Sequence, residues 1–190
     1  MVSGGGEGTH AKEPAAIVRP LLRVRQIREF TDEPLSDAEI DAIVDAARWS
    51  GSSSNSQPWR FIVVGDMATL RTIAEIGLPQ TRSLRTATAA IAIVLPAGGS
   101  DISVAYDDGR AAERILIAAS LLGLGAGIAW VRSDLRDQIG GLIGLPDDRF
   151  VRTLMSLGHP SEAGLKPKSP PGQGRLPREQ VVFRERWPQE

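Results

Sequence analysis

Apolar residues repeat at the spacing of a helix face in several parts of the chain. The clearest case follows Ser36 and Glu39, whose spacing of three residues is that of a capping box. The predicted helices cover 15–24, the segment from Ser36 to Ala47, 68–75, 109–122 and 134–143. Because the helix over 109–122 is apolar on more than one face, it is expected to be central or covered by a partner subunit.

Short apolar runs between helices predict strands. The run 60–64 is β-branched and aromatic and lies between Pro58 and Gly65, which is typical of a buried strand. The predicted strands cover 60–64, 89–95, a segment ending at Val131, and 151–157. These strands do not alternate evenly with helices, as they would in a doubly wound sheet. The predicted fold class is therefore α+β with a small central sheet.

The length of 190 residues is enough for one domain and short for two. The first 14 residues are rich in glycine and predict a flexible arm over 1–14. Residues 15–190 form one predicted domain, with an extended tail from about residue 161 that is rich in Pro, Gly, Lys and Arg.

Charge and cysteine content exclude several classes of function. The 22 basic and 23 acidic side chains nearly cancel, so the total charge predicts neither a nucleic acid nor a membrane as partner. With no cysteine, there is no disulfide, thiolate nucleophile or Cys metal site, and redox chemistry requires a bound cofactor. Nothing at the N-terminus resembles a signal peptide, and the apolar segment 115–131 is too short and glycine-rich to span a bilayer. We expect a cytoplasmic protein.

Two arginines three residues apart, Arg25 and Arg28, can converge on one phosphate or on one electron-rich ring edge. A guanidinium suits both tasks, since its planar fork donates two hydrogen bonds and keeps its charge. The alternative interpretation is a solvated helix end, with salt bridges to Glu29 and Asp32.

A serine-rich loop, residues 50–57, precedes Pro58 and Trp59. Its small side chains allow backbone N–H groups to approach a ligand, and its Asn and Gln side chains match the edge of a uracil-like ring. The alternative interpretation is an ordinary connection built from serine turns.

Other polar residues are interpreted as structural. His10 and His159 lack the neighbours of a catalytic base or metal ligand, so no metal site is predicted. Asp107 and Asp108 are expected to cap the helix that begins near Gly109. The glycines at 123, 125 and 127 follow a helix and not a strand, which argues against a dinucleotide fingerprint.

Five motifs in this order resemble the nitroreductase family. They are Arg-x-x-Arg-x-Phe-Thr-Asp-Glu-Pro from Arg25, Ser-Ser-x-Asn-x-Gln-Pro-Trp-x-Phe from Ser52, Asp107-Asp108-Gly109, Leu122-Gly123-Leu124-Gly125 with the strand to Trp130, and Leu157-Gly158-His159-Pro160. The resemblance covers about residues 17–187.

The resemblance implies a mostly antiparallel sheet flanked by helices, and an FMN bound between two subunits that exchange their terminal extensions. It also implies the cofactor-binding residues. These are Arg25, Gln26 and Arg28 from the arginine segment, Ser52, Ser53 and Asn55 from the serine-rich loop, the backbone at Trp130 and Val131, Arg175 in the tail, and Arg82 or Arg85 as the cation near the ring.

The sequence departs from the family's pattern at three places. Val24 and Gln26 stand where arginine and serine are common, which alters contacts to the ribityl chain and ring. Gly51 replaces a common proline and is expected to loosen the loop entry. The segment 66–88 is short, which predicts a reduced lid over the flavin.

The function implied by the resemblance is a ping-pong oxidoreductase. NADH or NADPH reduces FMN, and a nitroaromatic, quinone or similar small molecule then takes the electrons in a homodimer with no catalytic side chain. The alternatives are a protein that stores or senses flavin with little turnover, and an enzyme of the same fold for reductive dehalogenation, flavin breakdown or a biosynthetic reduction.

Overall fold

A computed structural model of the protein describes residues 13–98, 101–167, 169 and 174–188. Apart from positions 13 and 14, the predicted N-terminal arm over 1–14 lies outside these residues. The helices are α1 (Pro14–Arg23), α2 (Asp37–Arg48), α3 (Met67–Ile76), α4 (Asp101–Leu121), α5 (Arg136–Leu142), α6 (Glu162–Leu165) and α7 (Arg178–Val181). The strands are β1 (Arg60–Val64), β2 (Ala89–Pro96), β3 (Gly125–Trp130) and β4 (Arg149–Gly158).

The four strands form one sheet in the order β1-β2-β4-β3, and every neighbouring pair is antiparallel. Strand β2 lies inside the sheet and is buried over nearly its whole length. Its register with β4 shifts between Ile93 and Val94. The α+β class and the antiparallel sheet are therefore confirmed.

Helices cover both faces of the sheet. On one face α2 and α4 pack against β2 and β4, with Ile115 and Met155 fully buried between them. On the other face α3 and α5 pack around Leu70 and Leu154, which are also fully buried. Because side chains alternate across a strand, β2 supplies apolar residues to both cores.

Side-chain caps mark the starts of α2 and α3. At α2 the Ser36 hydroxyl accepts from the Glu39 N–H at 3.3 Å, while the Glu39 carboxylate accepts from the Ser36 N–H at 2.8 Å. This confirms the predicted capping box. At α3 the Asp66 carboxylate accepts from the Thr69 N–H at 2.8 Å.

Helix α4 begins at Asp101, eight residues before the predicted start at Gly109. The prediction that Asp107 and Asp108 cap this helix is therefore wrong. Both aspartates lie inside α4 and are buried, and each accepts a hydrogen bond from a partner outside the helix. Asp107 accepts from the Ser53 N–H, and Asp108 accepts from the Thr153 hydroxyl at 2.9 Å.

Many apolar side chains stay exposed on this single chain. No residue of α1 is buried, and Ile17 and Leu22 are 61% and 80% exposed. Tyr106 on α4 is 72% exposed, and Trp187 in the tail is 75% exposed. None of the described helices has the length and apolar character needed to cross a membrane.

Candidate functional site

The arginine segment, residues 25–30, lies along the outer edge of β3. The Ile27 N–H donates to the Ala126 carbonyl at 2.8 Å. Glycines make this close approach possible, since a Cβ at Gly125 would lie 2.8 Å from the Ile27 side chain and one at Gly127 would collide with the Ile27 carbonyl. The glycines after α4 therefore serve backbone packing.

Two adjoining pockets flank this segment and share Gln26 and Arg28. The inner pocket has a volume of about 390 Å³ and is lined by Gln26, Arg28, Pro79, Gln80, Arg82, Ile128 and Trp130. The outer pocket has a volume of about 500 Å³ and is lined by Gln26, Arg28, Arg25, Pro167, Ser169 and Arg175. Together they form one cleft, which we call the arginine cleft.

The charge of the arginine cleft is one-sided. Four guanidinium groups line it, and no acidic side chain does so among the described residues. Burial lowers the pKa of Arg28, and repulsion from Arg82 lowers it further. An anion bound between these cations would remove that repulsion.

Gln26 organises the region between the two pockets. Its side-chain oxygen accepts from the Arg28 guanidinium and from the Ile128 N–H, the latter at 3.2 Å. At the outer end, the Arg25 guanidinium donates to the Leu165 carbonyl. The arginine segment is thus fixed to β3 and to α6 before any ligand binds.

The serine-rich loop lies elsewhere, against α4. The Ser53 N–H donates to both Asp107 carboxylate oxygens at 3.3 Å, and the Gln57 N–H donates to the Ser52 hydroxyl at 2.9 Å. Three loop residues have positive φ, which are Ser54 at 50°, Asn55 at 53° and Gln57 at 47°. Residues without glycine's freedom adopt such a backbone only when neighbouring contacts impose it.

Comparison with known proteins assigns the chain to a family. The profile of the Nitroreductase family matches residues 23–95. A protein of Archaeoglobus fulgidus, named as a candidate NADH dehydrogenase/NAD(P)H nitroreductase, is 34% identical over 146 residues, which span 73% of this chain and 82% of that protein. The chain belongs to the nitroreductase family. The resemblance stated from the motifs is confirmed.

Two further relatives carry more specific names. The FMN reductase [NAD(P)H] of Bacillus subtilis is 28% identical, over 90% of this chain and 74% of its own length. The solved structure of an FMN-dependent nitroreductase from Clostridium difficile superimposes with a TM-score of 0.75 at 25% identity, covering 87% of this chain and 97% of that one.

In this family member the structure brings together most of the sequence-predicted residues. Arg25, Gln26, Arg28 and Arg175 line the outer pocket, and Gln26 and Arg28 also line the inner pocket with Arg82 and Trp130. Val131 does not line the cleft. Its side chain is fully buried, and its N–H donates to the Arg152 carbonyl at 2.8 Å.

Other predicted residues lie outside the arginine cleft. Ser52, Ser53 and Asn55 line neither pocket. Arg85, the alternative to Arg82, is turned away and forms a salt bridge with Glu75 at 2.9 Å. The His159 Nε2 atom lies 3.9 Å from the Glu33 Oε1 atom.

Three residues of the inner pocket were missed in the sequence: Pro79, Gln80 and Ile128. The first two belong to residues 77–87, which form one side of the cleft and which we call the cleft wall. No local pattern marks them, because the wall meets the arginine segment only through the tertiary fold. Ile128 could have been found, since residues of a strand at spacing two share a face with Trp130.

The start of the serine-rich loop, at Gly51, is closely packed against another side chain. The Arg110 guanidinium occupies the space beside Gly51 in which a side chain would stand, and it pairs with Asp107 at 3.6 Å. Glycine at 51 thus makes room for a cation that lies over the loop. The expected loosening at this position is offset by that contact.

Proposed function

We propose that this protein is an FMN-dependent oxidoreductase that takes hydride from NADH or NADPH and passes electrons to a nitroaromatic, quinone or similar acceptor. The observation that carries the proposal is the arginine cleft, with four guanidinium groups and no carboxylate among its described lining residues. FMN is a fitting ligand because it joins a phosphate to a flat ring with an electron-rich edge. The names of the Bacillus subtilis and Clostridium difficile relatives agree with it.

The donor set of the cleft matches the two ends of such a molecule. Arg25 and Arg175, which line only the outer pocket, would hold the phosphate, since guanidinium groups bind phosphate oxygens through paired N–H bonds. Arg28 and Arg82 would lie near the pyrimidine edge of a ring in the inner pocket, where Trp130 and Ile128 provide an apolar wall. Gln26, which lines both pockets, would contact the ribityl chain that joins the two ends.

When bound, FMN supplies the two-electron chemistry, accepting hydride from one substrate and donating it to the next. The protein orients the ring and lowers the energy of the negative charge that forms on reduction. Arg82 and Arg28 do this electrostatically, as preorganised cations beside a developing anion. No side chain acts as a nucleophile.

The active form is a homodimer with exchanged terminal extensions. The serine-rich loop is bound to Asp107 and lines neither pocket of its own chain, so Ser52, Ser53 and Asn55 would contact a flavin held by the second subunit. The exposed apolar faces of α1 and α4 offer the surface for that contact. A cytoplasmic location stays a prediction.

Spectroscopy without oxygen tests this proposal. The purified protein is expected to carry FMN that is released on denaturation and bleached by NADPH or NADH. Bound FMN that neither nucleotide reduces would favour a storage or sensor protein. The short segment 66–88, which predicts a reduced lid, is the reason to consider that alternative. Protein that neither carries FMN nor takes it up would contradict the proposal, and replacing Arg28 and Arg175 with Met is expected to abolish uptake.

A further inference from the structure

The cleft wall is fastened to α3 from behind by one arginine. The Arg71 guanidinium donates to the carbonyls of Leu84 and Ala87, the second at 3.0 Å. Arg71 is half-buried, and desolvation lowers its pKa. A desolvated guanidinium bonded to two carbonyls of one turn fixes the path of that turn.

Other contacts join the wall to the same helix. The buried Thr81 hydroxyl donates to the Ala74 carbonyl at 2.8 Å, and the fully buried Leu84 side chain packs in the core beside Leu70. The Arg85–Glu75 salt bridge adds little to the stability of this attachment, because the two side chains are 50% and 61% exposed. The wall and α3 therefore form one rigid unit.

This unit carries a cation that is repelled by another cation of the cleft. Arg82 lies on the wall between Thr81 and the carbonyls bound by Arg71, and it lines the inner pocket together with Arg28. Burial lowers the pKa of Arg28, and the charge of Arg82 lowers it further. If the wall could move, repulsion would separate the guanidinium groups of Arg28 and Arg82. Contacts elsewhere in the wall must therefore hold Arg82 in place before an anion binds.

We propose that Arg71 is a positioning residue that fixes Arg82 in the inner pocket through the carbonyls of Leu84 and Ala87, so that the Arg28–Arg82 pair favours the reduced, anionic ring over the oxidised one. This inference rests on the proposed function. It assigns to Arg71, which does not line the cleft, an effect on the reduction potential of the flavin.

The test compares reduction potentials and FMN dissociation constants of the holoprotein variants. Arg82→Met is expected to weaken binding of reduced relative to oxidised FMN about tenfold, as the loss of one charged hydrogen bond would, which lowers the two-electron potential by about 30 mV. Arg71→Met is expected to produce a shift of similar size, and the double variant no more than either alone. Arg85→Met, which removes a guanidinium of the same wall outside the cleft, is the matched control and is expected to change the ratio less than about twofold.

Additive shifts, or an unshifted potential in Arg71→Met beside a shifted one in Arg82→Met, would overturn the inference. Arg71→Lys guards against misfolding, since lysine keeps the charge and one carbonyl contact and is expected to give an intermediate shift; an Arg71→Lys potential equal to that of the unaltered protein also counts against it. A protein that binds no FMN at all contradicts the proposed function instead, so the two failures are distinguishable.

Discussion

The cleft wall and the serine-rich loop are both short connections that carry proposed flavin contacts, but they are held in different ways. No residue of the wall, all of which the structure describes, has positive φ. The wall is fastened by side chains, with Arg71 and Thr81 bonded to carbonyls and Leu84 in the core. The loop has three residues at positive φ, and it is held by hydrogen bonds to Asp107 and by hydrogen bonds within the loop.

The difference shows two routes to a preorganised site. Packing and side-chain bonds make the wall part of a stable core, so its position does not depend on a partner. The loop stores backbone strain, which costs on the order of 1–3 kcal/mol for each such residue. Its shape depends on a few polar contacts, and substitutions there are expected to alter local order more than global stability.

The largest expected effect comes from the core residue of the wall. Leu84→Ala is expected to lower the free energy of unfolding by about 2–5 kcal/mol, because a fully buried leucine leaves a cavity. Urea unfolding at fixed protein concentration measures it, with Met67→Ala as control, since Met67 is 42% exposed. A loss of the same small size in both variants would mean that the wall is not part of the core.

The corresponding change for the loop is Asp107→Ala. Removing this buried acceptor breaks both contacts to the Ser53 N–H and the ion pair with Arg110, so a loss of about 1–3 kcal/mol is expected. Amide hydrogen exchange is expected to quicken at residues 53–57 before it quickens in the sheet. Asp107→Asn retains an acceptor and is expected to lose less, and uniform exchange across the protein would contradict a local role.

Much of the fold was predictable from short-range signals. The capping box at Ser36 and the apolar run of β1 each have a local cause, and both appear in the structure at the expected place. The start of α4 was not predictable, because two aspartates before a glycine have the local signature of a cap. Their partners, Ser53 and Thr153, lie about 50 residues away in each direction.

The site was predictable as far as motifs reach. The resemblance identified Arg25 and Arg175, which the fold brings to one pocket from opposite ends of the chain. It did not identify Gln80, whose place in the inner pocket depends on how the wall packs on α3. Val131 follows Trp130 directly, and the alternation of strand side chains places the two on opposite faces.

Asp108 separates the effect of a buried charge from the effect of the loop contact. Burial raises the pKa of this carboxyl, and the Thr153 hydrogen bond only partly offsets that cause. A raised folded-state pKa means that its stabilising contribution is full below the unfolded value of about 3.9 and is lost as pH rises through the folded value. Asp108→Asn is therefore expected to flatten the pH dependence of unfolding above about pH 4. If the pH dependence of unfolding is the same in Asp108→Asn as in the unaltered protein, while amide exchange in the loop is also the same, Asp108 is not the group that causes this pH dependence.

The smallest expected effect tests the strain in the loop directly. Ser54 has φ 50° and ψ 26°, a conformation that glycine adopts without a Cβ penalty. Ser54→Gly is expected to raise the free energy of unfolding by up to about 1 kcal/mol, since relieved strain exceeds the entropy that glycine adds to the unfolded chain. Ser56→Gly is the matched control, because the exposed Ser56 has φ −70° and the same change is expected to destabilise there. If both variants lose stability equally, the loop is not strained, and the contrast with the wall reduces to the number of bonds that hold each segment.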